Sequence, residues 1–185
     1  MPNHQAVKDA LNDFHEKFRR CYEIKHQSLP VIEHDSDWPS PCEQQEVADL
    51  AEVSWQPVVC EPRLDFDNIE SALELELHPD IKAYYGSFYS ANLPARTGEG
   101  ELELLFAWSS KDFERLQENL LGHIWMKRKL RQPVTLFFAV TDMEDINLTL
   151  NNETGEIWAE KVGKKPHRKV ASNMAEFLNT LEPVV

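Results

Sequence analysis

Val7, Leu11, Phe14, Phe18 and Tyr22 recur every three or four positions, so they share one face and predict a helix over residues 2–27. Lys8, Asp9, Asp13, Glu16, Lys17, Arg19 and Arg20 occupy the remaining faces, and the pattern ends before Pro30. Residues 28–50 lose this rhythm and carry Pro30, Pro39 and Pro41, which reads as a long irregular segment packed through Trp38 and Cys42. Val53 to Val59 reads as a short edge strand interrupted by Pro57. A helix is expected from about Phe66, with Asp67 suited to its positive end. The alternation of Ser71 to Leu77 leaves a strand open as the alternative there. Pro79 fits the first turn of another helix, whose apolar face is Ile81, Tyr84, Tyr85 and Phe88.

Residues 92–100 read as a loop, and Glu101 to Ala107 as a strand entering the core. Ser109 and Asp112 resemble a capping box for a helix reaching about Leu130, with Phe113, Leu116, Leu120 and Ile124 as its stripe. Gly122 inside that helix predicts close packing against a neighbouring strand, and His123 a satisfied, partly buried histidine. Val134 to Val140 reads as a central strand. Ile146–Leu150 and Glu156–Val162 flank a five-residue loop and predict a hairpin. Gly163 to Lys169 reads as a basic loop, and Asn173 with Glu176 caps a last helix. Together these elements predict one α+β domain over residues 1–185, its helices packed on a mixed or largely antiparallel sheet.

Composition supports a packed core, because Leu, Ile, Val and Phe account for 48 of 185 residues. The longest apolar run, Pro133 to Val140, is far short of a membrane span, and no apolar stretch follows the N-terminus as a signal peptide requires. Three cysteines, Cys21, Cys42 and Cys60, form no chelating pair and suit free thiols in a reducing cytosol.

Charge changes the picture more. The net charge is −13, yet residues 33–103 alone hold seventeen acids against three bases. A concentrated negative field attracts cations and repels nucleic acid and anionic lipid. The His and Cys spacings fit no metal motif, and phosphate-binding glycine loops and nucleophile motifs are missing. The expectation is therefore a binding protein rather than an enzyme, with no cofactor and no catalytic residue. Asp65, Asp67, Glu70 and Glu74 repeat at helical spacing. Glu101 and Glu103 alternate with Leu102 and Leu104 on one strand face, and Glu99 precedes them. These acids are the candidate contacts, with Trp55 and Trp108 as aromatic contacts if they lie exposed beside them. The bases of the Lys161–Lys169 loop read as solubilising or internally paired, with contact to anionic lipid headgroups as the other option.

Several strings resemble a known family. They are Pro39-Ser-Pro-Cys42, Trp55-Gln-Pro57, Trp108-Ser-Ser-Lys-Asp-Phe-Glu-Arg-Leu-Gln-Glu-Asn-Leu-Leu-Gly-His123, Lys127-Arg-Lys-Leu130, Pro133-Val-Thr-Leu-Phe137 and Ala171-Ser-Asn-Met-Ala-Glu-Phe-Leu178. In this order they resemble the Syd family, the SecY-interacting proteins of gamma-proteobacteria. Glu118 lies within the longest string and joins the candidate contacts.

The resemblance implies an α+β fold shared with toxin-immunity proteins. It implies a monomer in the cytoplasm, loosely held at the cytoplasmic face of the inner membrane through SecY, the channel subunit of the translocase. It also implies a role in checking or regulating that complex. Cytosolic loops of membrane proteins are rich in Lys and Arg, so an acidic recess gathered from residues 61–103 is the expected docking surface. Two other readings use the same acids: an immunity-type inhibitor covering a basic toxin nuclease, and a carboxylate-based metal hydrolase.

Overall fold

The computed structural model describes residues 4–185. The first helix, α1, spans His4–His26 and buries Val7, Ala10, Leu11, Phe14 and Phe18. Residues 2 and 3 of the expected helix lie outside the described residues. α1 stops where Gln27 turns left-handed at φ 58°.

The segment after α1 is less irregular than its prolines suggest. Strand β1 (Val31–Glu33) pairs antiparallel with β2 (Glu52–Ser54). Pro57 divides the expected edge strand in two. Its second half, β3 (Val58–Val59), pairs with β4 (Phe88–Tyr89) in a separate small sheet. Trp38 lies under Lys111 Nζ, 4.4 Å from the ring centre, and Ser40 Oγ donates to the Trp108 carbonyl at 2.5 Å. These contacts fasten the segment to the start of a later helix.

Helix α2 spans Asp67–Leu73 and ends at Glu74, whose φ is 47°. The alternation through Leu77 therefore belongs to a helix end and a loop, not to a strand. The Leu77 N–H donates to Glu70 Oε1 at 2.8 Å, and this side-chain bond takes the place of a ladder. α3 (Pro79–Ser87) starts at the expected proline, with His78 Nδ1 accepting from the Asp80 N–H.

The main sheet has seven strands: β5 (Leu93–Thr97), β6 (Gly100–Leu104), β7 (Thr135–Thr141), β8 (Ile146–Asn151), β9 (Ile157–Lys161), β10 (Pro166–Ala171) and β11 (Glu182–Pro183). Their order is β10-β9-β8-β7-β6-β5-β11, and every pair is antiparallel. Two of these strands correct the sequence reading. The expected loop over 92–100 contains β5. Pro94 is tolerated there because its nitrogen points toward the two-residue strand β11, where Val184 N–H donates to the Pro94 carbonyl at 3.0 Å. The expected basic loop over 163–169 contains the edge strand β10, whose pairing with β9 is broken by two register shifts. Exposed Lys and Arg on such an edge hinder pairing with other chains, so they hide a strand from a pattern reader.

Helix α4 (Ser110–Lys129) lies over one face of the sheet centre, and α5 (Met174–Asn179) packs on the other. Phe138 of β7 meets Phe177 of α5 and Tyr84 of α3, at ring distances of 5.6 and 5.5 Å. Both expected caps form: Ser109 Oγ accepts from the Asp112 N–H, and Asn173 Oδ1 from the Glu176 N–H. Asp112 reciprocates toward the Trp108 N–H, one residue before the cap.

A buried ionic cluster joins α4 to the sheet. Lys127 Nζ, wholly buried, lies 2.6 Å from Glu160 Oε1. Thr135 and Thr149 donate to the same carboxylate, and His123 Nε2 sits 3.2 Å from Thr135 Oγ1. Burial lowers the pKa of His123, with Glu160 pulling it the other way. Lys127 Nζ also donates to the Lys164 carbonyl at 2.7 Å, and Gln132 Nε2 to the Gly163 carbonyl at 3.2 Å. The expected packing at Gly122 is absent. A Cβ built there meets nothing within 4 Å, because Gly122 lies on the exposed side of α4.

Candidate functional site

The rings of Phe66 and Phe113 meet edge to face with centroids 5.2 Å apart, and this contact holds the start of α2 against the first turns of α4. Between them runs the loop after β3. It presses close to α3: Leu64 N–H donates to the Gly86 carbonyl at 3.0 Å, and a Cβ at Gly86 would stand 2.7 Å from the Leu64 oxygen. Only glycine allows that approach without a shift.

These elements enclose an open groove of about 580 Å³. Val58, Val59, Leu64, Tyr89 and Phe113 supply apolar lining, and Val59 is 41% exposed. Glu61, Asp65 and Glu114 bring three carboxylates, against the single cation Arg63. Burial raises the pKa of Tyr89 and pushes the Cys60 thiol up to about 11, so both stay protonated at neutral pH. Asp65 also accepts the Asp67 N–H at 3.2 Å, which orders the turn into α2. Asp67 and Glu118 are exposed on the two helices flanking the groove, with Glu118 one turn after Glu114.

The remaining candidate acids lie elsewhere. Glu70 is half-buried and held by Lys82 Nζ at 2.9 Å. Glu74 is exposed at the end of α2. Glu99 and Glu101 line a separate hollow of about 70 Å³ together with Asp142 and Arg168. There Glu99 pairs with Arg168, and Glu101 stands opposite Arg96 in the β5–β6 register. Glu103 accepts from Asn92 Nδ2 at 3.0 Å. The candidate acids thus do not converge in one recess: Asp65, Asp67 and Glu118 lie in or beside the groove, Glu70 and Glu74 on the rest of α2, and Glu99, Glu101 and Glu103 at the β5–β6 end of the sheet.

The two tryptophans pack inward. Trp55 is 5% exposed, stacked on Phe18 and edge-on to Trp108. Trp108 is half-buried. The aromatic side chain beside the acids is the half-buried Tyr89 instead, with Phe113 buried at the groove's floor.

Of the groove's acids, Glu61 lay within the expected 61–103 stretch without being singled out, and Glu114 fell outside it. A signal for Glu114 was present, since it precedes Glu118 by four residues on one helix. Glu61 shares the acidic segment, but only the fold separates it from its neighbours. Among the described residues, no group of three or more His, Cys, Asp or Glu is placed to hold a metal ion. Among them, too, no helix is long and apolar enough to cross a membrane. All three cysteines are free, Cys42 and Cys60 buried and Cys21 half-buried.

A family model described as "Syd protein (SUKH-2)" matches residues 8–183. The chain belongs to the Syd family. It is 44% identical to Protein Syd of Colwellia psychrerythraea over 186 residues, covering 96% of this chain and 92% of the relative. Protein Syd of Aliivibrio fischeri is 44% identical over 180 residues, 97% of each chain. Protein Syd of Alteromonas mediterranea is 47% identical over 153 residues, 83% of this chain and 84% of that one. The Syd match spans both the groove and the buried cluster on α4.

Proposed function

We propose that this Syd-family chain is a non-enzymatic binding protein that docks onto the basic cytosolic loops of SecY and so checks or regulates the translocase. The groove between α2 and α4 is the contact surface. One observation carries the reading: three carboxylates and one cation rim an apolar hollow of about 580 Å³ in a chain of net charge −13. A Lys- and Arg-bearing loop finds charge complementarity at the rim, and its apolar side chains find Val58, Tyr89 and Phe113 below. The exposed acids at the β5–β6 end extend the field and speed encounter. On this reading the chain acts as a monomer, without a cofactor, in the cytoplasm and at the cytoplasmic face of the inner membrane.

The test is capture from detergent-solubilised membranes with the tagged chain. SecY is expected in the captured fraction, with Asp65→Lys/Glu114→Lys reducing it and rising salt weakening it steeply. Salt-independent capture, or capture that ignores the double reversal, would overturn docking through this groove. Recovery of a soluble basic toxin in place of SecY would assign the chain to the immunity-type class.

A further inference from the structure

Two stretches of this acidic chain, residues 119–141 and 161–175, contain no Asp or Glu and are rich in Lys and Arg. The first carries Lys127, Arg128, Lys129 and Arg131 at the end of α4, and the second carries the bases of the β9–β10 turn. The fold joins them through the bonds from Lys127 to the Lys164 carbonyl and from Gln132 to the Gly163 carbonyl.

Pairing then sorts the cations. Lys127 is consumed by Glu160, Arg128 donates to the Leu73 carbonyl, and Lys161, Arg168 and Lys169 pair with Asp145, Glu99 and Glu156. No ion pair engages Lys129, Arg131, Lys164 or Lys165 among the described residues, and all four are exposed. Exposed apolar side chains occur in the same two segments. Trp125, one turn before Lys129 on α4, is 56% exposed, Leu130 is 46% exposed, and Val162 is 55% exposed.

We propose that the end of α4 and the β9–β10 turn form a docking surface for the headgroup layer of an anionic phospholipid bilayer. The free ammonium and guanidinium groups meet lipid phosphates, each contributing about fivefold to partitioning. The indole of Trp125 and the side chains of Leu130 and Val162 enter the boundary between headgroups and acyl chains. A duplex nucleic acid offers the same phosphates but no such apolar layer, and a planar bilayer lets the acidic groove face away. The surface is separate from the groove, so this inference stands without the SecY reading.

Co-sedimentation of the full chain with protein-free vesicles tests it. The chain is expected to pellet with phosphatidylcholine–phosphatidylglycerol vesicles and not with phosphatidylcholine alone. Lys164→Glu/Lys165→Glu, with an unchanged thermal melt, is expected to lower partitioning tenfold or more. Trp125→Phe is expected to abolish the blue shift of tryptophan emission on vesicle addition. Asp65→Lys/Glu114→Lys is expected to leave vesicle binding in place, which separates the two surfaces. Failure to bind the anionic vesicles, or binding indifferent to Lys164 and Lys165, would overturn the proposal. So would equally tight binding of duplex DNA through the same lysines.

Discussion

Asp65 and Glu114 line one groove because the residues beside them, Phe66 and Phe113, meet edge to face at 5.2 Å. Apolar packing thus sets the spacing of charges that repel, and a basic partner relieves the repulsion.

Kinetics should separate the groove from the sheet end. Reversing Asp65 and Glu114 removes charges at an enclosed contact, so it should raise the SecY dissociation rate by roughly tenfold to a hundredfold. Reversing Glu101 and Glu103, which are exposed on β6, should mainly slow association, and the defect should vanish in high salt. Surface plasmon resonance against purified SecY in detergent reads both rates. Equal effects of the two pairs on dissociation would argue against the groove as the main contact.

His15 makes stability depend on acid. Both ring nitrogens are buried without a hydrogen-bond partner, with Phe88 and Phe106 rings 4.8 and 5.4 Å away. Burial holds its pKa down to about 3, against 6.5 when exposed. Between these values the unfolded chain binds the extra proton, so stability rises with pH from about 3 to 6.5 and then levels. His15→Leu should remove this part of the slope and add about 2 kcal/mol at pH 5. Urea unfolding at pH 5 and pH 7.5 measures it, and a variant with the wild-type slope would count against the assignment.

The Lys127–Glu160 pair should punish half-removal. Lys127→Met leaves a carboxylate that is 2% exposed without its cation, at a cost of about 3–5 kcal/mol. Lys127→Met/Glu160→Gln should recover much of that loss, because no buried charge is stranded. Denaturant midpoints of the two variants decide it.

Two glycines should respond oppositely to alanine. Gly122 is helical, exposed and surrounded by open space, so Gly122→Ala should stabilise by roughly 0.5–1 kcal/mol. Gly155 has φ 75°, and a Cβ there would stand 2.6 Å from His78 Nε2. Gly155→Ala should therefore destabilise the β8–β9 hairpin by about 1–3 kcal/mol. Thermal melts of the two variants should move in opposite directions.

Elements whose own side chains carry a period were legible from sequence: α1, α4, α5 and strands β6 to β9, with Ser109 and Asn173 marking helix starts. β1, β4, β5, β10 and β11 were not, because neighbours rather than composition make them strands; Phe88, expected on the apolar face of α3, lies in β4 instead. β5 contains a proline that only a short neighbour excuses, and β10 shows basic residues and two register shifts. At the site, charge density singled out Asp65 and a family string singled out Glu118. The meeting of Asp65 with Glu61 and Glu114 in one groove depends on a ring contact between residues 66 and 113, which no local pattern encodes. Gly122 was misread for a related reason, since a helical glycine looks the same whether it faces a strand or water.

Helix α4 also acts as a ruler. From Glu114 to Lys129 it advances about 22 Å at 1.5 Å per residue, well over twice the screening length of roughly 8 Å in physiological salt. Charges at its two ends, such as Glu114 and Lys129, are therefore largely screened from each other by the solvent. Each end can be retuned by mutation without resetting the other.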